Sequence, residues 1–534
     1  MLTLTSSIYR LDICSGEPLR INDVSSVFRS LIHVLAWFLL LVPVPPPALA
    51  TPVQAVCKKS FTKGVREVPG QEAMSVDRTH LRNEGERTGE DVPVFNNRDF
   101  QSITHFLGSH ASIVTRPVSA TFRLLSLVHD LSLGSVRWVL RSRKLPESLP
   151  DCSGTGSMDL REWERRLDDL TGSESGMGTL DLLVDGEEYF TRLEKRVKEA
   201  SESIKIRTYI FDNDDTAIEL ADILREKSME VDVRLLLDGQ GTIMATGTDA
   251  DSLPEGYKPP VSVRSYLTAG SSVRVRQQFN LWLTGDHAKT TIIDSRWAFL
   301  GGMNIGREYR HEWHDVMVEL QGPVVDELER EFDKIWSHAG VLGDLEKILF
   351  HLRKKKRSTH EIGYPLRVLY TRPGDREIYY SQLEAIKRSK NYIFIETPYF
   401  TDDAMLHSLA LARKRGVDVR VILPRDPNWA IMRSNNALTV KYLMERGVKV
   451  YLYQGMTHVK AAVYDGWACL GSANHDNLSF RTNYEINIAT SHLPVVKKLL
   501  KGIFERDFLR SVELLEPLPI RDTDYLLEVV ADQL

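Results

Sequence analysis

Apolar positions change character three times along the chain. Over residues 31–44 they run together as LIHVLAWFLLLVPV, between Arg29 and a proline cluster. That run is shorter than the ~20 residues a membrane-spanning helix needs. The small residues Ala48, Ala50 and Ala55 follow, so residues 1–56 predict a secretory signal peptide, with a signal anchor as the alternative. Residues 58–104 are polar and aperiodic, the pattern of a linker. Then Phe122, Leu125, Val128, Leu131, Val136, Val139 and Leu140 recur near helical spacing among Arg123, Arg137, Arg141, Arg143 and Lys144. Such a basic amphipathic helix suits an anionic membrane surface, or packs on the body with its basic face solvated. Residues 57–178, ending in a Gly/Ser-rich stretch around DLREWERRLDDL, thus read as linker with a helical extension.

The third regime is a repeat. A helical period over 189–200 precedes a strand, SIKIRTYIF, then a second helix and VDVRLLLDG. A helical period over 379–389 likewise precedes NYIFIETPYF, a second helix and VDVRVILP. Alternation of this kind predicts an α/β protein of two related halves, with mixed, mainly parallel sheets flanked by helices. The halves cover 179–340 and 366–534, and a linker over 341–365 holds the charge run HLRKKKR.

Composition narrows the function. The 534 residues carry 68 Lys and Arg against 73 Asp and Glu, a formal charge of −5, which argues against a general nucleic-acid binder. Cys14, Cys57, Cys152 and Cys469 form no CxxC pair, so no structural zinc site is expected, and Cys57–Cys152 is the candidate bridge in an oxidising compartment.

Each half holds the same polar constellation. The first is HAKTTIIDSRWAFLGGMN, with His287, Lys289, Asp294, Gly301, Gly302 and Asn304; the second is HVKAAVYDGWACLGSAN, with His458, Lys460, Asp465, Gly471, Ser472 and Asn474. On a strand, alternate side chains share a face, so each imidazole stands beside an ammonium group. Two such units around one small site suit a phosphodiester. The lysines and the Asn304 and Asn474 amides can meet the non-bridging oxygens, with Ser472 and the glycine backbone as further donors. No cofactor or metal is then required, and no carboxylate cluster with metal-ligand spacing is seen. Two histidines allow attack through a covalent intermediate, with acid–base help from the second. Alternation sets Asp294 and Asp465 on the face opposite their own histidines, as anchors rather than proton partners. Asp315 in HEWHD and Glu485 in NYEIN, each on the strand after its own histidine, are expected to orient the imidazoles. Tyr399 and Trp429 are candidates for an acyl or headgroup pocket, and Glu396 with Arg481 for a structural ion pair.

This paired motif resembles the HKD signature of the phospholipase D superfamily over roughly 179–509. ETPYFTDD, RGVDVRVILP, GGMNIGREY and GSANHDNLSFRTNYEINI are most similar to the bacterial cardiolipin synthase type. The resemblance implies a site between the halves, His287 as nucleophile and His458 as acid/base. It implies phospholipid substrates and a membrane-associated or exported enzyme, at the periplasmic face of the inner membrane in a bacterium. The function expected is phosphatidyl transfer through phosphohistidine, as in cardiolipin synthesis. Phospholipase D hydrolysis, an HKD nuclease and a non-catalytic membrane scaffold are the alternatives.

Overall fold

In a computed structural model the described residues are 157–245, 250–278, 285–340, 343 and 363–521, with Arg116, Ser119, Thr121 and Arg123. The expectations for the export segment, the linker over 58–104, Cys57, Cys152 and the charge run at 351–357 lie outside them, as does most of the basic helix.

The repeat becomes two runs of strands with one course. The first comprises β1 (Gly176–Val184), β2 (Ser203–Thr208), β3 (Asp232–Asp238), β4 (Arg274–Gln278), β5 (Thr290–Ile293), β6 (Trp297–Gly301) and β7 (Val316–Gln321). The second comprises β8 (Tyr364–Arg372), β9 (Asp375–Arg376), β10 (Tyr392–Glu396), β11 (Asp418–Pro424), β12 (Lys449–Tyr453), β13 (Ala461–Tyr464), β14 (Trp467–Gly471), β15 (Glu485–Thr490) and β16 (Ser511–Glu513). Their spatial orders are β1-β7-β6-β5-β2-β3-β4 and β8-β15-β14-β13-β10-β11-β12, with β16 at the far edge and β9 on β8. β1 and β8 pair antiparallel, which joins the halves into one sheet.

The sheet is mixed and flanked by helices, as the alternation predicts, but its weighting differs from the expectation. Parallel pairing is confined to β2-β3-β4 and β10-β11-β12, and the other ladders are antiparallel. The cause is local. β5 turns into β6 through Asp294 and Ser295, and β13 into β14 through Asp465 and Gly466, all at positive φ. Tight turns of that hand return the chain antiparallel to itself, whereas a parallel neighbour needs a long crossover.

Alternation along the central strands feeds two layers. Phe299 of β6 joins a first-half core with Phe190 and Leu220, and Cys469 of β14 joins a second-half core with Leu409 and Val421. Leu300 and Leu470, one position on, point into a shared core with Val318, Ile488 and the helix Val324–His338. Each such fully buried aliphatic side chain contributes about 1.5–3 kcal/mol, so the halves are fixed to one another rather than tethered.

One segment departs from the linker expectation. DLREWERRLDDL forms a helix, Leu160–Thr171, capped by Asp159 and ended by Gly172 at φ 63. Its stripe of Trp163 and Leu167 is fully buried in the second-half core, and the Trp163 ring meets Trp467 edge-on at 5.1 Å. The chain thus contributes a helix to its second half before starting the first, whose opening strand begins at Gly176.

Candidate active site

The residues before β5 and β13 cross the junction between halves. Asp286 bridges Tyr484, and His314 bridges Thr457. Through these bridges His287 N donates to Tyr484 O at 3.0 Å, and His458 N to His314 O at 2.6 Å. The acids follow the same exchange. His287 Nδ1 lies 3.0 and 3.1 Å from the two oxygens of Glu485, and His458 Nδ1 lies 2.7 Å from Asp315 Oδ2. Each imidazole is therefore oriented by the acid of the other half, not by the acid following it in its own. The two expected acids lie against the imidazoles, but each against that of the other half, because the inter-half bridges set Tyr484 beside His287 and His314 beside His458.

With Nδ1 facing a carboxylate, Nε2 is the ring nitrogen left for a substrate. The His287 side chain keeps 14% of its surface open and that of His458 keeps 7%. Burial, opposed by Glu485, lowers the His287 pKa; burial and Lys460 push His458 down to about 3 against the pull of Asp315. Both rings are thus held neutral near pH 7. Burial would raise Glu485, but His287 and Lys289 outweigh it and hold its carboxyl below the ordinary range.

Lys289 and Lys460 lie buried beside these rings, each Nζ donating to its own histidine's carbonyl, at 2.7 and 2.6 Å. Burial pulls Lys289 down to about 7 and Lys460 to about 8, against the attraction of Glu485 and Asp315. The ammonium charges are present below those values and are lost as the pH rises through them. An ordinary lysine stays charged to about 10. Because kcat/KM reports the free enzyme, its value for an anionic phosphodiester is expected to fall between about pH 7 and 8. A profile flat to pH 9 would show that neither charge is needed.

The remaining expected residues divide. Asn304 and Asn474 are buried in the same region; Asn304 Oδ1 accepts from Ile210 N at 3.0 Å, while Asn474 Oδ1 is buried without a protein partner. Ser472, expected as a phosphate donor, instead gives its hydroxyl to Glu485 Oε2 at 2.6 Å. Its counterpart Gly302 serves Asp315 by absence: a Cβ there would lie 2.5 Å from Asp315 Oδ1. The glycine makes room for the orienting acid rather than for phosphate.

Asp294 and Asp465, counted with the motif, stand at the hairpin turns and serve as anchors. Asp294 accepts from the backbone N–H groups of Ser201, Glu202 and Ser203. Asp465 accepts from those of Lys390, Asn391, Tyr392 and Met158. Although they belong to the motif they do not face the reacting groups, since their oxygens are spent on the loops before β2 and β10. Asp465→Ala is expected to cost about 3 kcal/mol by stranding buried donors. A thermal melt checks this, with kcat per folded molecule falling far less than for either histidine.

Glu396 and Arg481 do not pair. Arg481 bonds Asp402, and Glu396 accepts from Thr457 Oγ1 at 2.5 Å. Tyr399 bonds Asn428 beside the exposed Trp429. Aromatic rings that the motif does not signal frame the histidines: Tyr209 meets His287 edge-on at 5.0 Å, and Trp313 and Tyr309 lie 5.3 and 5.7 Å from His458. Among the described residues, two groups bring three ligating atoms within 4.8 Å, His314/Glu396/Asp507 and Asp212/Asp214/Glu308. Both ring nitrogens of His314 already face carboxylates, and Asp214 accepts from Ala217 N and Arg307 N.

Comparison with known proteins gives the same picture. Residues 193–336 and 383–508 match the family model described as cardiolipin synthase, PLD-like domain. The chain is 30% identical over 348 residues to a cardiolipin synthase of Clostridium perfringens (strain SM101 / Type A), covering 61% of this chain and 70% of that protein. It is 31% identical over 321 residues to cardiolipin synthase A of Pseudomonas syringae pv. syringae, covering 58% and 64%. A solved phosphatidylserine synthase of Haemophilus influenzae Rd KW20 aligns with 70% of this chain and 100% of its own at a TM-score of 0.53 and 13% identity, a likeness of fold. With half the chain matched, including both histidine–lysine units, the protein belongs to the cardiolipin synthase family of phospholipase D-like enzymes.

Proposed function

We propose that the protein is a phosphatidyltransferase that makes cardiolipin from phosphatidylglycerol at a membrane surface. The observation that carries this reading is the crossed pair of imidazole–carboxylate couples around two buried lysines. His287, the more open ring, attacks phosphorus through Nε2. The new N–P bond forms as the P–O bond to the leaving glycerol breaks, and His458 gives that oxygen its proton. His458 then takes the proton from the hydroxyl of a second phosphatidylglycerol, whose oxygen displaces His287 from phosphorus. Lys289, Lys460 and the Asn304 and Asn474 amides stabilise the non-bridging oxygens as charge builds on them. Burial first, and the Lys460 charge second, keep His458 neutral. The anionic phosphodiester offsets that lysine charge, so His458 takes up a proton from solvent as the substrate binds and passes it to the leaving oxygen. Among the described residues no helix is long and apolar enough to cross a membrane.

Incubation with phosphatidylglycerol vesicles, with and without added glycerol, followed by lipid mass spectrometry, tests the proposal. Cardiolipin is expected, with glycerol driving the reaction backwards. Phosphatidic acid alone would replace transfer by hydrolysis, and unchanged lipid with cleaved DNA would replace it by nuclease action.

A further inference from the structure

His314 is a buried histidine that the chemistry above does not use, although it adjoins Asp315. Its Nδ1 lies 2.5 Å from Asp185 Oδ1 and its Nε2 lies 3.0 Å from Asp507 Oδ2. A ring whose two nitrogens both meet carboxylates donates from both and is an imidazolium. Burial opposes that charge, yet Asp185 and Asp507 hold the His314 pKa well above its ordinary value. The ring stacks on Tyr453 with centroids 5.0 Å apart.

The main chain here is equally constrained. His314 N donates to Met456 O at 3.1 Å, and its carbonyl receives His458 N. Asp185, a non-glycine residue at φ 66, also gives its own N–H to Asp315 O at 2.9 Å. One carboxylate residue thus holds the His314 ring and the backbone of the acid beside it. Asp507, the second anchor, lies in the helix Glu505–Arg510 near the end of the second half. The counterpart position before Glu485 is Tyr484, whose backbone makes the same inter-half bonds to Gly285 and His287. The charges beside it are Arg123, 4.9 Å from the Tyr484 ring centre, and the Arg207–Asp286 ion pair. The two catalytic rings are therefore backed by different devices.

We propose that His314 is a positioning residue for the acid–base half of the reaction: clamped between Asp185 and Asp507, it fixes Asp315 and through it the His458 ring. This rests on His458 as the general acid and base. The clamp ties one proton-transfer group to the docking of a C-terminal helix, while leaving the nucleophile to the other device.

A leaving-group comparison separates this role from simple stability. A p-nitrophenyl phosphodiester departs without a proton, so its first-turnover burst reads His287 alone; a lipid alcohol requires the acid. His314→Gln is expected to reduce phosphatidylglycerol turnover about 10²-fold, the scale of a misplaced catalytic group. Its p-nitrophenolate burst should stay within about twofold of the parent enzyme, as expected when only the proton-dependent group is disturbed. Asp185→Asn, whose side chain is 46% exposed, should show the same asymmetry in milder form and serves if His314→Gln does not fold. Equal losses on both substrates in the folded variant, or no loss on lipid, would overturn the role of His314. A parent enzyme indifferent to leaving group would instead refute His458 as the acid.

Discussion

Alanine at His287 or at His458 is expected to reduce phosphatidylglycerol turnover at least ~10³-fold in each case, because residues acting as one unit fail together. The two variants should nevertheless differ in what they trap. With a radiolabelled phosphatidyl-p-nitrophenol, His458→Ala is expected to release nitrophenolate once and stall as a phosphorylated protein, since no base remains to activate the acceptor. His287→Ala should take up no label. Gels run after a detergent quench at alkaline pH, where the N–P bond survives, read both outcomes directly. Label on His287→Ala but not on His458→Ala would exchange the two roles, and a loss below tenfold for either variant would remove the two-imidazole scheme altogether. The physical basis is the shared site: Lys460 acts electrostatically on His287 and Lys289 on His458, so neither couple works in isolation.

Glu485→Gln and Asp315→Asn make the second large prediction, and the crossed geometry decides its sign. Losing the carboxylate that fixes a catalytic histidine's tautomer costs roughly 10²–10⁴-fold in rate. Glu485 holds His287 Nδ1, so Glu485→Gln should abolish the p-nitrophenolate burst. Asp315 holds His458 Nδ1, so Asp315→Asn should spare the burst and suppress acceptor-dependent turnover. Were each acid to serve the histidine of its own half, the two phenotypes would exchange. Rapid-quench measurement on both variants distinguishes the arrangements in a single experiment. Ser472→Ala should resemble a weaker Glu485→Gln, because that hydroxyl supports Glu485 and not the phosphate.

Much of this is legible in the sequence. The repeated alternation of helix and strand, the two histidine–lysine units and the candidate acids all follow from local periods and motif spacing. So does the anchoring role of Asp294 and Asp465, since strand alternation turns them away from their own histidines. The misreadings share a cause. The share of parallel pairing is smaller than the pattern predicts because helix–strand alternation dominates the pattern, while the short β5–β6 and β13–β14 hairpins sit inside the motif and look like its spacing. The helix Leu160–Thr171 reads as linker beside its Gly/Ser-rich neighbours, and only the second-half core shows where Trp163 goes.

By itself, then, the sequence determined which side chains could carry the chemistry and that they occur twice, because those are properties of adjacent residues and of their repetition. The tertiary structure alone decided which acid meets which imidazole, what Ser472 and Gly302 do, and that the His314 ring lies between Asp185 and Asp507. The contacts responsible join positions 198 and 143 residues apart. They depend on the register in which one half's loops bridge the other's, and no local period encodes that register.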